Sequence, residues 1–249
     1  MNRFVVLFCV LLPICATTKV VGQTPAQDSL RTARREAENE RLRTDWANLK
    51  KFSKMNAELP PPAANEDRVV FIGNSIIESW TPYFQTMFPG RQFIGRGISG
   101  QTTPQILVRF RQDVIALRPK AVVILAGTND IAGNTGAATI EMIEDNLTSM
   151  VELAMSNGIR VILTSVLPAY AYKWNPGVEP AQIIIALNQW MRDYASKTGI
   201  TYLDLHSPMS DERGAMKSEY SLDGVHPTEA GYRVMAPLML QAIDAVIGK

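Results

Sequence analysis

Arg68–Trp80, RVVFIGNSIIESW, is the stretch that decides the fold. Val69–Ile72 is a continuous apolar run, as a strand buried on both faces requires. Gly73-Asn74-Ser75 is turn chemistry, and an amphipathic run begins at Ile76. A serine at such a strand–turn–helix junction exposes its hydroxyl at the amino end of a helix, where its N–H can also face a developing oxyanion. Ser75 is therefore a candidate nucleophile. The competing reading is a serine that only caps a helix.

Downstream, the same alternation repeats. Apolar runs at Gln92–Ile94, Ala121–Ala126, Arg160–Ser165 and Thr201–Leu205 are strand candidates. Helical patterns at Ile76–Met87, Pro104–Leu117, Ala137–Asn157 and Ala181–Thr198 separate the strands, and Glu229–Ile247 closes the chain. Thr103-Pro104 reads as a capping threonine with proline at the first helical position. Five strands alternating with helices predict an α/β fold with a parallel sheet covered on both faces. Functional residues then belong at the carboxyl ends of the strands. The unusual loops all fall there: Gly73-Asn74-Ser75, Gly95–Thr102, Gly127-Thr128-Asn129-Asp130 and the aromatic Ala169–Pro180.

Upstream, the pattern changes. Residues 1–22 have a short basic start, an apolar run from Phe4 to Ala16 and small residues up to Gly22, the layout of a secretory signal peptide. A lipidated Cys15 is the minority reading. Both cysteines, Cys9 and Cys15, lie in this segment, so a chain cut near Gly22 has no cysteine chemistry. Cleavage there leaves 23 of the 25 basic residues against all 24 acidic ones. That balance favours neither nucleic acid nor an anionic membrane. Residues 23–62 form a charged leader: a solvated helix or partly disordered stretch over Gln23–Arg43, then a surface helix over Asp45–Glu58. The linker Pro60-Pro61-Pro62 follows. The leader could also serve as an interaction arm. The catalytic domain is expected over 63–249.

A serine nucleophile needs a base, and the chain offers only His206 and His226. In Asp223-Gly224-Val225-His226-Pro227 a carboxylate three residues before the histidine can hold Nδ1–H, leaving Nε2 to take the serine proton. His206 reads as a structural residue at a strand end, with Asp204 ordering its loop. Oxyanion donors would be the Ser75 N–H, a glycine N–H from the second loop (Gly97 or Gly100) and the Asn129 amide. No metal or organic cofactor is required.

These four segments resemble the four signature blocks of the SGNH (GDSL-like) hydrolases, in the right order from Arg68 to the C-terminus. The resemblance implies a flavodoxin-like three-layer α/β/α sandwich and ester hydrolysis through a serine acyl-enzyme. It assigns Ser75 as nucleophile, Asp223 and His226 as its partners, and Ser75, Gly100 and Asn129 as the oxyanion hole. Two positions depart from the family pattern: Asn74 stands where aspartate is usual, and Gly95 where the second block often opens with asparagine. In the Ala169–Pro180 loop, Tyr170, Tyr172 and Trp174 are candidate substrate-binding aromatics. The overall look points to short-chain, acetyl-type esters on carbohydrate, with a small-molecule or polysaccharide substrate and no nucleic-acid partner. A lysophospholipase or thioesterase is the alternative within the family. A non-catalytic carbohydrate-binding module is the alternative outside it, disfavoured because Ser75, Asn129, Asp223 and His226 are all present.

Overall fold

The computed structural model describes residues 25–249; the signal-peptide and Cys15 expectations concern residues outside that range. The elements run α1 (Pro25–Thr44), α2 (Ser53–Glu58), β1 (Val69–Gly73), α3 (Ser75–Trp80), α4 (Phe84–Met87), β2 (Phe93–Gly97), α5 (Thr103–Asp113), β3 (Ala121–Leu125), α6 (Thr128–Ile131), α7 (Ile140–Ser156), β4 (Arg160–Thr164), α8 (Pro180–Thr198), β5 (Thr201–Leu203), α9 (His206–Met209) and α10 (Glu229–Ile247). The five strands are all parallel, in the order β2-β1-β3-β4-β5. This is the flavodoxin-like doubly wound order, and its switch point lies between β1 and β3.

Burial on both faces explains why the strands read as continuous apolar runs. Val70, Ile72, Val122, Ile124, Val161 and Leu163 point to one face, where Phe110 of α5, Leu147 of α7 and Leu187 of α8 meet them. The intervening Val69, Phe71, Ala121, Val123, Leu125 and Ile162 point to the other face, against Ile77 of α3 and Met235 of α10. Three layers result. On the second face Trp80 stacks on Tyr232 at 5.2 Å and 16°, and the Tyr232 hydroxyl donates to the Ile76 carbonyl at 2.8 Å. This pair joins the helix after Ser75 to the helix after His226.

Two expectations shift. The capping threonine of α5 is Thr102, which forms a capping box with Gln105; the Thr103 hydroxyl goes instead to Asp130, at 2.6 Å. The expected helix over Asp45–Glu58 survives only as α2. Asn48 is left-handed (φ 54°), and the Asp45 carboxylate takes the N–H groups of Leu49 and Lys50, so residues 45–52 form turns. The expected leader helix upstream is α1. A compact unit runs from Leu42 to Lys249. Among the described residues no helix is long and apolar enough to cross a membrane.

Candidate active site

Ser75 is the first residue of α3 and its side chain is buried. Asn74 caps the helix, its Oδ1 accepting the Ile76 N–H at 3.0 Å, so the serine hydroxyl is not consumed in capping. The helix-capping reading of Ser75 therefore passes to its neighbour. Asn74 Nδ2 is buried with no protein partner among the described residues, a cost an aspartate at this position would not carry in that form.

The last loop brings the base to this hydroxyl. Ser75 Oγ lies 2.9 Å from His226 Nε2, and His226 Nδ1 lies 2.7 Å from Asp223 Oδ2. Asp223 Oδ1 accepts the N–H groups of Val225 and His226, at 2.9 and 2.8 Å. Partial burial works to raise the Asp223 pKa, but these N–H groups and the imidazole together hold the carboxyl far below the usual range. An ionised Asp223 fixes the proton on Nδ1 and leaves the Nε2 lone pair facing the serine. Ser221 was not singled out from the sequence. It accepts the Gly224 N–H at 2.9 Å and donates to the His226 carbonyl at 2.8 Å, closing the turn from inside. A serine two residues before the aspartate was the available signal.

Of the two oxyanion glycines left open by the residues alone, Gly97 ends β2, and a Cβ there would lie 2.2 Å from the Glu78 N. That glycine is needed for close packing of α3 on the strand. Gly100 sits in the loop at φ +78°, a backbone conformation that favours glycine. Asn129, buried in α6, donates one Nδ2 hydrogen to the Gln101 carbonyl at 2.9 Å and keeps the second. The Gly95 departure has a steric account: a Cβ there would lie 1.9 Å from Thr81 Oγ1, so Thr81 occupies the space a side chain would fill.

The aromatic loop divides. Tyr172 is fully buried, its hydroxyl 2.8 Å from Thr128 Oγ1 and its pKa pushed up to about 12 by burial, so it presents no ring to a substrate. Its role corrects to packing under the loop. Trp174 is 47% exposed and lies beside the site, its ring 6.3 Å from that of His226 and its Nε1 donating to Asn134 Oδ1 at 3.1 Å. Asn134 in turn donates to the Gly100 carbonyl at 3.1 Å. Tyr170 is exposed, with the Arg213 guanidinium 5.7 Å over its ring. Asp204 orders its loop by accepting the Ser207 N–H and hydroxyl, at 3.0 and 2.6 Å. His206 is half-buried there, and burial lowers its pKa.

With this geometry in place, the comparison with known proteins is decisive. The GDSL-like Lipase/Acylhydrolase family model matches residues 71–234. The chain belongs to that family. It superposes on a crystal structure of a candidate acylhydrolase from Bacteroides fragilis NCTC 9343 with a TM-score of 0.80. The two are 50% identical, over 82% of this chain and 99% of that one. An acetylxylan esterase of Xylanibacter ruminicola is 24% identical over 221 residues, covering 74% of this chain and 45% of that protein. The uncharacterized lipoprotein YqeF of Bacillus subtilis is 32% identical over 95 residues, 36% of this chain and 39% of that one. The chain thus spans less than half the length of these curated relatives.

In this GDSL-like hydrolase, Asp130 next to Asn129 titrates unusually. Burial pushes its carboxyl up to about 6 from 3.8, against the opposing pull of the Thr103 hydroxyl and N–H. A folded pKa above the unfolded one means the native state holds the extra proton between about pH 4 and 6. The Asp130 contribution to stability therefore falls as pH rises through that window. Asp130→Asn removes it: relative to the parent, the variant's unfolding free energy should rise by on the order of 2 kcal/mol between pH 4 and pH 6.5. Urea midpoints at the two pH values measure this. An unchanged difference would mean Asp130 titrates normally.

Proposed function

We propose that this hydrolase is an exported serine esterase that removes short acyl groups, acetyl above all, from carbohydrate through an acyl-enzyme on Ser75. The observation that carries the reading is the continuous relay from Ser75 Oγ through His226 to Asp223, at 2.9 and 2.7 Å. As Ser75 Oγ attacks the ester carbonyl, its proton passes to His226 Nε2 and the imidazolium is stabilised by Asp223. The oxyanion of the tetrahedral intermediate lies among the N–H groups of Ser75 and Gly100 and the second hydrogen of Asn129 Nδ2. Each such donor lowers the barrier by roughly 2.7–4 kcal/mol. Collapse expels the sugar alkoxide, which takes the proton from His226. A water activated by the same Nε2 then releases the carboxylic acid.

The carbohydrate assignment rests on the exposed Trp174 ring beside His226, with Tyr170 exposed on the same loop, and on the similarity to the acetylxylan esterase. Export rests on the layout of residues 1–22 and the lipoprotein relative. We assign residues 1–22 as the signal peptide. The test is acetate release from acetylated xylan beside a p-nitrophenyl ester series from acetyl to palmitoyl. Turnover should fall as the chain lengthens. Trp174→Ala should raise KM on acetylated xylooligosaccharide about 5–12-fold and leave KM for p-nitrophenyl acetate within about twofold, the loss of one stacking contact worth about 1–1.5 kcal/mol. Turnover that rises with chain length would favour the lysophospholipase or thioesterase reading.

A further inference from the structure

We infer that the turns and short helix of residues 45–58, which precede the family match, act as a strap that sets the geometry of the oxyanion loop. The inference rests on the serine-esterase reading above. Gly100 is flanked by two residues, and both are tethered outside their own loop. On one side, Ser99 donates its N–H to Glu78 Oε2 at 2.6 Å and its hydroxyl to the same oxygen. Glu78 lies one turn after Ser75 on α3, and Lys51 of the strap pairs with its other oxygen. On the other side, Gln101 donates from Nε2 to the Ala47 carbonyl of the strap at 2.7 Å, while its Oε1 accepts from Arg109 Nε at 2.6 Å. The backbone carbonyl of Gln101 is the one that orients Asn129. One residue pair thus fixes two of the three expected donors.

The strap is fitted to this task along its length. Its carbonyls at Trp46, Ala47 and Leu49 accept from Gln105, Gln101 and Gln112 respectively. Gln105 also closes the capping box that starts α5 directly after the loop. A turn made only for packing would satisfy its carbonyls from its own backbone; these three reach across to the α5 region instead. Preorganised donors matter in proportion to how little they must move when charge develops, so a loosened Ser99–Gln101 segment should slow acylation more than it weakens substrate binding. Lys51 and Glu78 are therefore positioning residues.

Both are about one-third exposed, so their substitution need not unfold the domain. The experiment compares full-length Lys51→Ala, Lys51→Arg, Glu78→Ala and Glu78→Gln with Ser75→Ala. A strap control, Lys54→Ala, alters a residue whose ion pair among the described residues is with Glu58, at the surface. Activity is read on p-nitrophenyl acetate, and Ser75 reactivity by inactivation with diethyl p-nitrophenyl phosphate, whose transition state loads charge on the same donors. Expected results are a roughly 10–100-fold fall in kcat for Glu78→Ala and about 3–10-fold for Lys51→Ala. KM should stay within about twofold, with inactivation slowed in parallel. Lys51→Arg restores the rate, Glu78→Gln falls between, and Lys54→Ala matches the parent. Should Glu78→Ala fail to fold, Lys51→Ala and Glu78→Gln carry the test. Parental kcat in the clamp variants, or losses that track melting temperature alone, overturns the inference while Ser75→Ala is inactive. An active Ser75→Ala overturns the underlying esterase reading.

Discussion

Ser75→Ala should lower kcat/KM on p-nitrophenyl acetate by on the order of 10⁴-fold or more, the scale at which serine nucleophiles are lost in comparable relays. The stability change should be small. The Ser75 hydroxyl contacts His226, whereas the cap of α3 is supplied by Asn74. Urea midpoints within about 0.5 kcal/mol of the parent would match a surface-type substitution, because no buried partner other than a solvent-accessible imidazole is left unpaired. The two measurements together separate chemistry from folding. Residual turnover near the parental rate would remove Ser75 from the reaction.

The largest effect on stability is expected at Arg109. Its guanidinium is fully buried and has three distinct partners: Asp113 Oδ2 at 3.0 Å, Gln101 Oε1 at 2.6 Å and the Gly73 carbonyl at 2.8 Å. The cost of taking both charges out of water is met by that saturation. Arg109→Met leaves the buried Asp113 carboxylate with hydrogen bonds only from Asn56 and Gln112 among the described residues, at 2.7 and 3.4 Å, and removes one of the two donors to the Gly73 carbonyl, which keeps the Ile98 N–H at 3.1 Å. A loss of about 3–5 kcal/mol is expected by denaturant unfolding. Arg109→Met combined with Asp113→Leu should recover part of it, since an apolar pair of similar volume carries no uncompensated charge. If the double variant is as unstable as the sum of the singles, the penalty lies in packing and not in the stranded carboxylate.

The sheet and its rim were legible because strands buried on both faces print unbroken apolar runs, and because the loop residues at their carboxyl ends carry chemistry in their identities. Ser75 was found this way, and Asp223 and His226 by the carboxylate three residues before a histidine; the geometry brings the three within hydrogen-bonding distance. What was not legible depends mainly on partners far away in sequence. Trp46, Leu49, Phe52 or Met55, and Leu59 recur at helical spacing, yet residues 45–52 are turns, because Asp45 binds the backbone locally and distant glutamines take the strap's carbonyls. Arg109, a charged residue within α5, is a buried hub whose three partners arrive from β1, the oxyanion loop and its own helix. Tyr172 and Trp174 look alike in sequence, but Tyr172 packs into the core and meets Thr128 there, while Trp174 stays exposed.

Ser75 and His226 stand 151 residues apart, and the helices that follow them are held together by the Trp80–Tyr232 stack. Such a separation gives the site one of the highest loop-closure costs in the chain, so it should assemble among the last contacts to form. A partly synthesised or partly refolded chain would hold a serine without a base and be chemically silent. Recovery of esterase activity during refolding then reports docking of the final helix, and should lag behind the return of the far-ultraviolet helical signal. For a protein proposed to act outside the cell, this timing keeps a reactive hydroxyl idle until the whole chain has arrived.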